Sequence, residues 1–273
     1  MISVLTALFC LVLSFDVMAQ RRPLVTETAE TVPEGHALFE FGVEFLQDST
    51  FRLSGLKGDQ TRVGVYGLRI GAGKRIEVQI LGSFQELLNI EKRFPGPHSS
   101  ILNFSGNSTS AWGDLTMGTK LRILDERPGA PAFATHFSVQ LPNTSNESGL
   151  GNDETNFFSS LIVEKSLGKL RLISNLGLAL LGDPVDAAAQ DDLFSYGFGL
   201  IYSVNPQVRV IADTYGRLGP GGIGTEEQSS LRLGAQIQGG GLYWDVGALV
   251  GFRDTDPPYG LIIGISKQFH MPF

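Results

Sequence analysis

Alternation constrains this chain more than any other feature. From Asp114 to Ile123 the sequence reads DLTMGTKLRI. Leu115, Met117, Thr119, Leu121 and Ile123 share one side, while Asp114, Thr116, Gly118, Lys120 and Arg122 share the other. Successive side chains of a strand point to opposite faces, so this stretch predicts a strand with one apolar and one strongly polar face. The same period of two marks 36–47, where Phe39, Phe41, Val43 and Phe45 oppose Glu40, Gly42 and Glu44. It recurs at 75–84, 132–141, 230–238 and 242–252, and less cleanly at 62–71, 156–165, 170–181, 193–203, 207–216 and 259–269. The predicted strands total twelve.

The connectors sort into two kinds that alternate along the chain. Gly71 to Lys74, Asp125 to Pro131, Ser166 to Lys169, Asn205-Pro206 and Gly239 to Gly241 are short and carry the Gly, Asn and Pro that tight turns use. Longer connectors are expected near 48–60, 85–111, 142–155, 182–192, 217–229 and 253–258. Short and long connectors therefore fall at opposite ends of the strands. That is the arrangement of a transmembrane antiparallel up-and-down β-barrel, all-β, with short periplasmic turns, long outer loops, an apolar band facing lipid and a polar interior. Closure also satisfies every backbone N–H and C=O without water.

Alternation alone does not say which face points inward, and a soluble sandwich or ligand-enclosing barrel would bury the apolar one. Three features favour the membrane. The strands approach the roughly 9–11 residues that a tilted spanning strand needs. The chain opens with MISVLTALFCLVLSFDVMAQ, whose apolar run and Val17-Met18-Ala19 fit a signal peptide at 1–19. It closes on SKQFHMPF, and the terminal Phe273 resembles the signal read by the barrel-assembly machinery. Charged residues make up only 18% of the 273, against roughly 25% in soluble domains, which agrees with a lipid-facing surface. The expected organisation is a signal peptide at 1–19, a periplasmic N-terminal segment at 20–35 and an outer-membrane barrel at 36–273. Outer-membrane lipid and lipopolysaccharide are the expected surroundings.

Composition removes several functions. The net charge of −7 argues against nucleic acid, because phosphate binding needs clustered Lys and Arg. The single cysteine, Cys10, lies in the leader, so no disulfide, metal thiolate or thiol chemistry is expected of the mature chain. Gly219-Pro220-Gly221-Gly222-Ile223-Gly224 lacks the Lys-Ser or Lys-Thr and the helix of a phosphate loop. No cofactor is expected, and no metal centre: Asp153-Glu154 and Glu226-Glu227 could meet a divalent cation, but solvated acidic loops account for them.

Three stretches resemble one family, the outer-membrane transporters associated with the meta-pathway of phenol degradation. They are WGDLTMGTKLRI from Trp112, QLPNTSNESGLGNDETNFFSSLIVEKSLG from Gln140, and the opening RPLVTETAETVPEGHALFEFGVE. Gln140 stands where the family pattern has Lys. The resemblance implies a barrel and, loosely, uptake of small and aromatic compounds.

Two readings of the polar faces compete. His136-Phe137-Ser138 puts a His and a Ser on one face, as a lipid hydrolase would need, with Asn143 or Asn156 to orient the His. The predicted register turns both into the lumen, away from lipid, so no catalytic residue is assigned. The expected lumen lining is Arg75, Glu77, Lys120, Arg122, His136, Arg171, Arg209, Asp213, Arg232 and Asp245. Such a lining either selects a small-molecule solute or forms a salt-bridged plug. A channel or transporter for small, hydrophobic or aromatic solutes is the leading expectation, with a lipid-acting enzyme or a structural, adhesive barrel as alternatives.

Overall fold

The computed structural model describes residues 22–271. The signal peptide expected at 1–19 and the terminal Phe273 lie outside the described residues. The strands in chain order are β1 (His36–Phe51), β2 (Leu56–Gly73), β3 (Ile76–Arg93), β4 (Ser108–Ala111), β5 (Leu115–Leu124), β6 (Ala132–Leu141), β7 (Asn156–Leu167), β8 (Leu170–Gly182), β9 (Gln190–Ser203), β10 (Val208–Leu218), β11 (Gln228–Gly239), β12 (Leu242–Gly251) and β13 (Tyr259–His270). Twelve of them form a closed antiparallel ring in which each pairs with the next and β1 pairs with β13. The thirteenth, β4, is a short piece beside the upper part of β3.

The outward face is the apolar one. Leu161, Leu176, Phe198 and Leu233 are 45–53% exposed in mid-strand. Inward neighbours such as Glu77, Lys120, Asp213 and Asp245 are buried. A soluble barrel has the reverse distribution, so the wall is built for lipid outside. No described helix is long and apolar enough to cross a membrane; this chain crosses with strands.

Two expected boundaries move. The connector expected at 48–60 shrinks to residues 52–55, and β3 runs nine residues past 84 to Arg93. These extensions carry LQDSTF and ELLNIEKR, where polar residues alternate less sharply because no lipid bounds the strand there, while the backbone ladder continues. Within β2, Gly64 adopts φ +63°, at a register shift against Gly42 and Val43 of β1. A side chain in that left-handed conformation is strained, so glycine is required there.

The Trp112-Gly113-Asp114 step has a local cause. Between β4 and β5 the backbone passes so close to β3 that a Cβ on Gly113 would meet the Ser83 hydroxyl at 1.9 Å. Asp114 then accepts from Gln140 Nε2 at 2.6 Å, Asn143 N at 3.1 Å and Thr144 N at 2.9 Å. It pins the start of the long polar loop that follows β6. Gln140 reaches Asp114 through its side-chain amide. The far side of that loop is tied too, with Ser54 Oγ donating to Gly149 O at 2.7 Å and Asn103 N to Glu147 O at 2.9 Å. The loop thus bends over the mouth, where Leu102 and Leu150 pack on Leu56 and Leu88.

The segment before β1 does not hang below the barrel. Its described part, 22–35, runs inside the wall as an extended strap, and Leu24, Thr26, Glu27, Thr28, Ala29 and Val32 are buried there.

Candidate functional site

The strap has no strand neighbour, and six of its backbone N–H groups donate to wall side chains instead. Wall side chains replace the ladder. Arg22 N donates to Glu40 Oε1 at 3.2 Å, Val25 N to Asp213 Oδ2 at 2.6 Å and Glu27 N to Asn175 Oδ1 at 2.6 Å. Ala29 N donates to Glu164 Oε2 at 2.8 Å and Val32 N to Glu77 Oε2 at 2.7 Å. Asn175 Nδ2 returns a bond to Glu27 O at 2.8 Å, and Thr26 Oγ1 donates to Asp213. A buried peptide group without a partner is costly, so these inward acids and amide hold the strap in one place.

Charge reinforces the attachment. Arg69 of β2, 1% exposed, meets Glu27, Glu40 and Glu77 at 3.3, 3.0 and 3.4 Å. Lys120 of β5, with no exposed side-chain surface, meets Glu27 at 3.4 Å and Glu77 at 3.2 Å. Arg171 meets Glu30 at 2.8 Å and also pairs with Glu164. Arg22 reaches Asp245 at 3.2 Å. On the other side the contact is apolar: Leu24 and Ala29 join Ala132, Ala134, Ile162, Ile173, Ile201 and Ile211 in one buried cluster.

Above the strap the lumen is open. A cavity of about 570 Å³ has Arg22 to Val25 as its floor and Glu44, Arg62, Glu86, Tyr215 and Arg232 in its walls. Arg62 bridges Glu44 at 2.9 Å and Glu86 at 3.0 Å. Arg232 meets Glu44 at 3.3 Å and lies 5.5 Å from the centre of the Tyr215 ring. A neighbouring cavity of about 410 Å³ is lined by Ser138, Ser160, Asn175 and Gly197 with Thr26 and Glu27 of the strap beneath. A third, about 420 Å³, lies towards the outer loops and includes Leu150, Arg217, Gly224 and Pro257.

The ten residues expected in the lining fall in three places. Glu77, Lys120, Asp213, Asp245 and Arg171 grip the strap. His136 and Arg232 border the open cavities, and Arg209 lies half-buried beside Gln236. Arg75 and Arg122 sit at the rim beside the short turns, sharing Asp125 at 2.6 and 3.0 Å. Sequence reasoning missed Arg69, Glu40, Glu44 and Glu164 as a lining set, although the alternation around each was a usable signal. It also missed Glu27 and Glu30, for which no periodic signal exists. Of the aromatic residues near the loops, Phe84 lies against Tyr66 on the outer wall, ring centres 4.8 Å apart and tilted by 32°, and Phe104 packs in the cluster at the mouth. In the loop 219–227, Gly222 N donates to the Asp191 carboxylate at 3.0 Å.

A closed antiparallel wall with lipid outside and charge within defines an outer-membrane β-barrel protein. The chain belongs to the family described as "Putative MetA-pathway of phenol degradation", whose pattern matches residues 20–266. No curated protein matches its sequence. Among solved structures it is similar to the translocator domain of the autotransporter NalP from Neisseria meningitidis, with 12% identity and a TM-score of 0.48 over 86% of this chain and 87% of that one. It is also similar to the Ralstonia pickettii toluene transporter TbuX, with 11% identity and a TM-score of 0.47 over 88% and 90%. The outer membrane protein OmpT of Vibrio cholerae gives 11% and 0.41 over 86% and 96%.

Proposed function

We propose that this protein is an outer-membrane channel for small solutes, apolar and aromatic ones among them. The observation that carries the reading is the cavity of about 570 Å³ enclosed by the wall above the strap. Side chains alone fill barrels of about eight strands, and a ring of twelve leaves room. A purely adhesive barrel needs no such space. His136 and Ser138 turn into the lumen, where the ester of a bilayer lipid does not reach, so lipid hydrolysis is not the reading favoured here. The strap closes the lower half, and passage requires it to move.

Uptake of radiolabelled phenol by proteoliposomes tests the proposal. Uptake faster than into protein-free liposomes, saturable or not, is expected. Equal rates with correctly folded protein would remove the channel reading.

A further inference from the structure

The strap presents an unusual surface to the wall: apolar side chains alternate with carboxylates. Leu24 and Ala29 lie on the isoleucine wall, while Glu27 and Glu30 reach cations. Three donors from three directions converge on the Glu27 carboxylate. They are Arg69 Nη1 at 3.3 and 3.4 Å, Gln79 Nε2 at 3.4 Å and Lys120 Nζ at 3.4 Å. Four inward isoleucines, Ile162, Ile173, Ile201 and Ile211, have no place in a water-filled lumen unless something apolar covers them. At rest the strap is that cover.

We propose that the strap occupies the channel's solute site, and that the solute it mimics is an amphiphilic monocarboxylate. This rests on the channel reading above. When the strap withdraws, the solute's carboxylate takes the position of the Glu27 carboxylate on Arg69, Gln79 and Lys120. Its hydrocarbon body lies on the isoleucine wall in place of Leu24 and Ala29. The vacated donors, rather than the charge count, select the anion. Without Glu27, Arg69, Gln79 and Lys120 keep Glu77 Oε1, which all three also meet, and Arg69 keeps Glu40, but all three lose the second acceptor they share. A neutral solute does not replace that second acceptor, and an amine meets the donors themselves. Occupant and strap compete for one site, so the solute's own binding is what favours the open state.

The geometry supplies a lock. A Cβ placed on Gly199 would lie 3.6 Å from the Cβ of Thr26, with no contact under 3.5 Å. A disulfide needs roughly 3.5–4.5 Å between those atoms. The chain's only natural cysteine, Cys10, lies in the leader, so a pair introduced by Thr26→Cys and Gly199→Cys is unambiguous in a chain that also carries Cys10→Ser or has lost the leader. That protein is purified in detergent, and equilibrium binding of 4-phenylbutyrate is measured before and after oxidation. 4-Phenylbutan-1-ol, with the same body and no carboxylate, is the control.

The reduced protein is expected to bind the acid at least ten-fold more tightly than the oxidised one, and at least ten-fold more tightly than it binds the alcohol. Glu27→Gln, which weakens the competing strap, is expected to raise affinity for the acid several-fold in the otherwise natural chain. Both redox states are one polypeptide, so misfolding would appear in both. If the cysteine pair does not fold, the acid-to-alcohol comparison in Glu27→Gln decides. Equal binding by locked and unlocked forms, equal binding of acid and alcohol, or no binding to Glu27→Gln would each overturn the proposal. Phenol uptake by the natural protein keeps the two readings separate. If phenol crosses and the acid does not bind, this site falls and the channel stands. If nothing crosses, the channel reading falls, and binding still judges the site.

Discussion

Glu27 and Arg69, 42 positions apart in the chain, meet inside the barrel with Oε1 3.3 Å from Nη1, and neither touches bulk solvent appreciably. The two partners are not equivalent. Around them four acids, Glu27, Glu40, Glu77 and Asp245, meet three cations, Arg69, Lys120 and Arg22. Removing the arginine strands acids, whereas removing one acid evens the count. Arg69→Met is therefore expected to destabilise the folded barrel by about 3–5 kcal/mol, the cost of leaving buried charge unpaired. Glu27→Gln is expected to cost less than about 1.5 kcal/mol, near that of one ordinary hydrogen bond. Urea unfolding in lipid vesicles measures both, and similar losses for the two variants would contradict this account.

Register is tested by neighbours. Leu176 is the seventh of the thirteen residues of β8 and points to lipid, and Asn175 beside it points inward to the strap. Leu176→Arg is expected to cost about 2–4 kcal/mol of insertion, the penalty near a bilayer midplane. Leu121 also faces lipid but lies three residues from the end of β5 at Leu124, so Leu121→Arg should cost only about 0–1 kcal/mol, as at an interface. Asn175→Ala should insert normally. Folding yields into vesicles check all three.

The closed ladder has an electrophoretic signature. Unboiled protein should keep its barrel in detergent and migrate apart from the boiled chain, because twelve paired strands leave no edge for detergent to open. A single mobility, with recovery in the soluble periplasmic fraction, would be incompatible with the wall described above.

Acid should loosen one turn. Glu126, in the connector between β5 and β6, is slightly buried, which opposes ionisation. Bonds from Lys165 and the Ser166 amide outweigh that and hold its carboxyl below the ordinary value. A depressed value means the contact is complete above the unfolded carboxyl's titration, near 4.3, and is lost as pH falls through the folded one. The protection of the Ser166 amide against exchange, relative to its intrinsic rate, should therefore fall as pH drops below the ordinary carboxylate range. Glu126→Gln should abolish that dependence, and an unchanged profile would refute it.

Much of the wall was legible in the chain because lipid on one side and charge on the other impose a period of two. Met117 against Lys120, or Val246 against Asp245, needed only counting. Legibility ended where the lipid ended. Beyond Leu46 and Phe84 the strands rise above the membrane, so polar residues occur on both faces and read as loop. The strap was illegible for a different reason. Its TETAETVPE has no period, and its partners Glu77, Asn175 and Asp213 lie on strands 45 to 187 positions away. Such a segment has the composition of a solvated tail until the wall is built around it.

β1 pairs with β13 from His36–His270 to Leu46–Gly260, so the ring closes between the first and last of the described strands. Those are the most distant strand pairings among the described residues, and distant contacts are slow to form. Until they do, the isoleucine wall stands open to its surroundings. The strap joins β1 directly at Gly35, where Met271, just past β13, donates its N–H to Gly35 O at 2.8 Å. The seam therefore meets at the foot of the strap, and the contacts that complete the wall also anchor the end of the segment lying inside it.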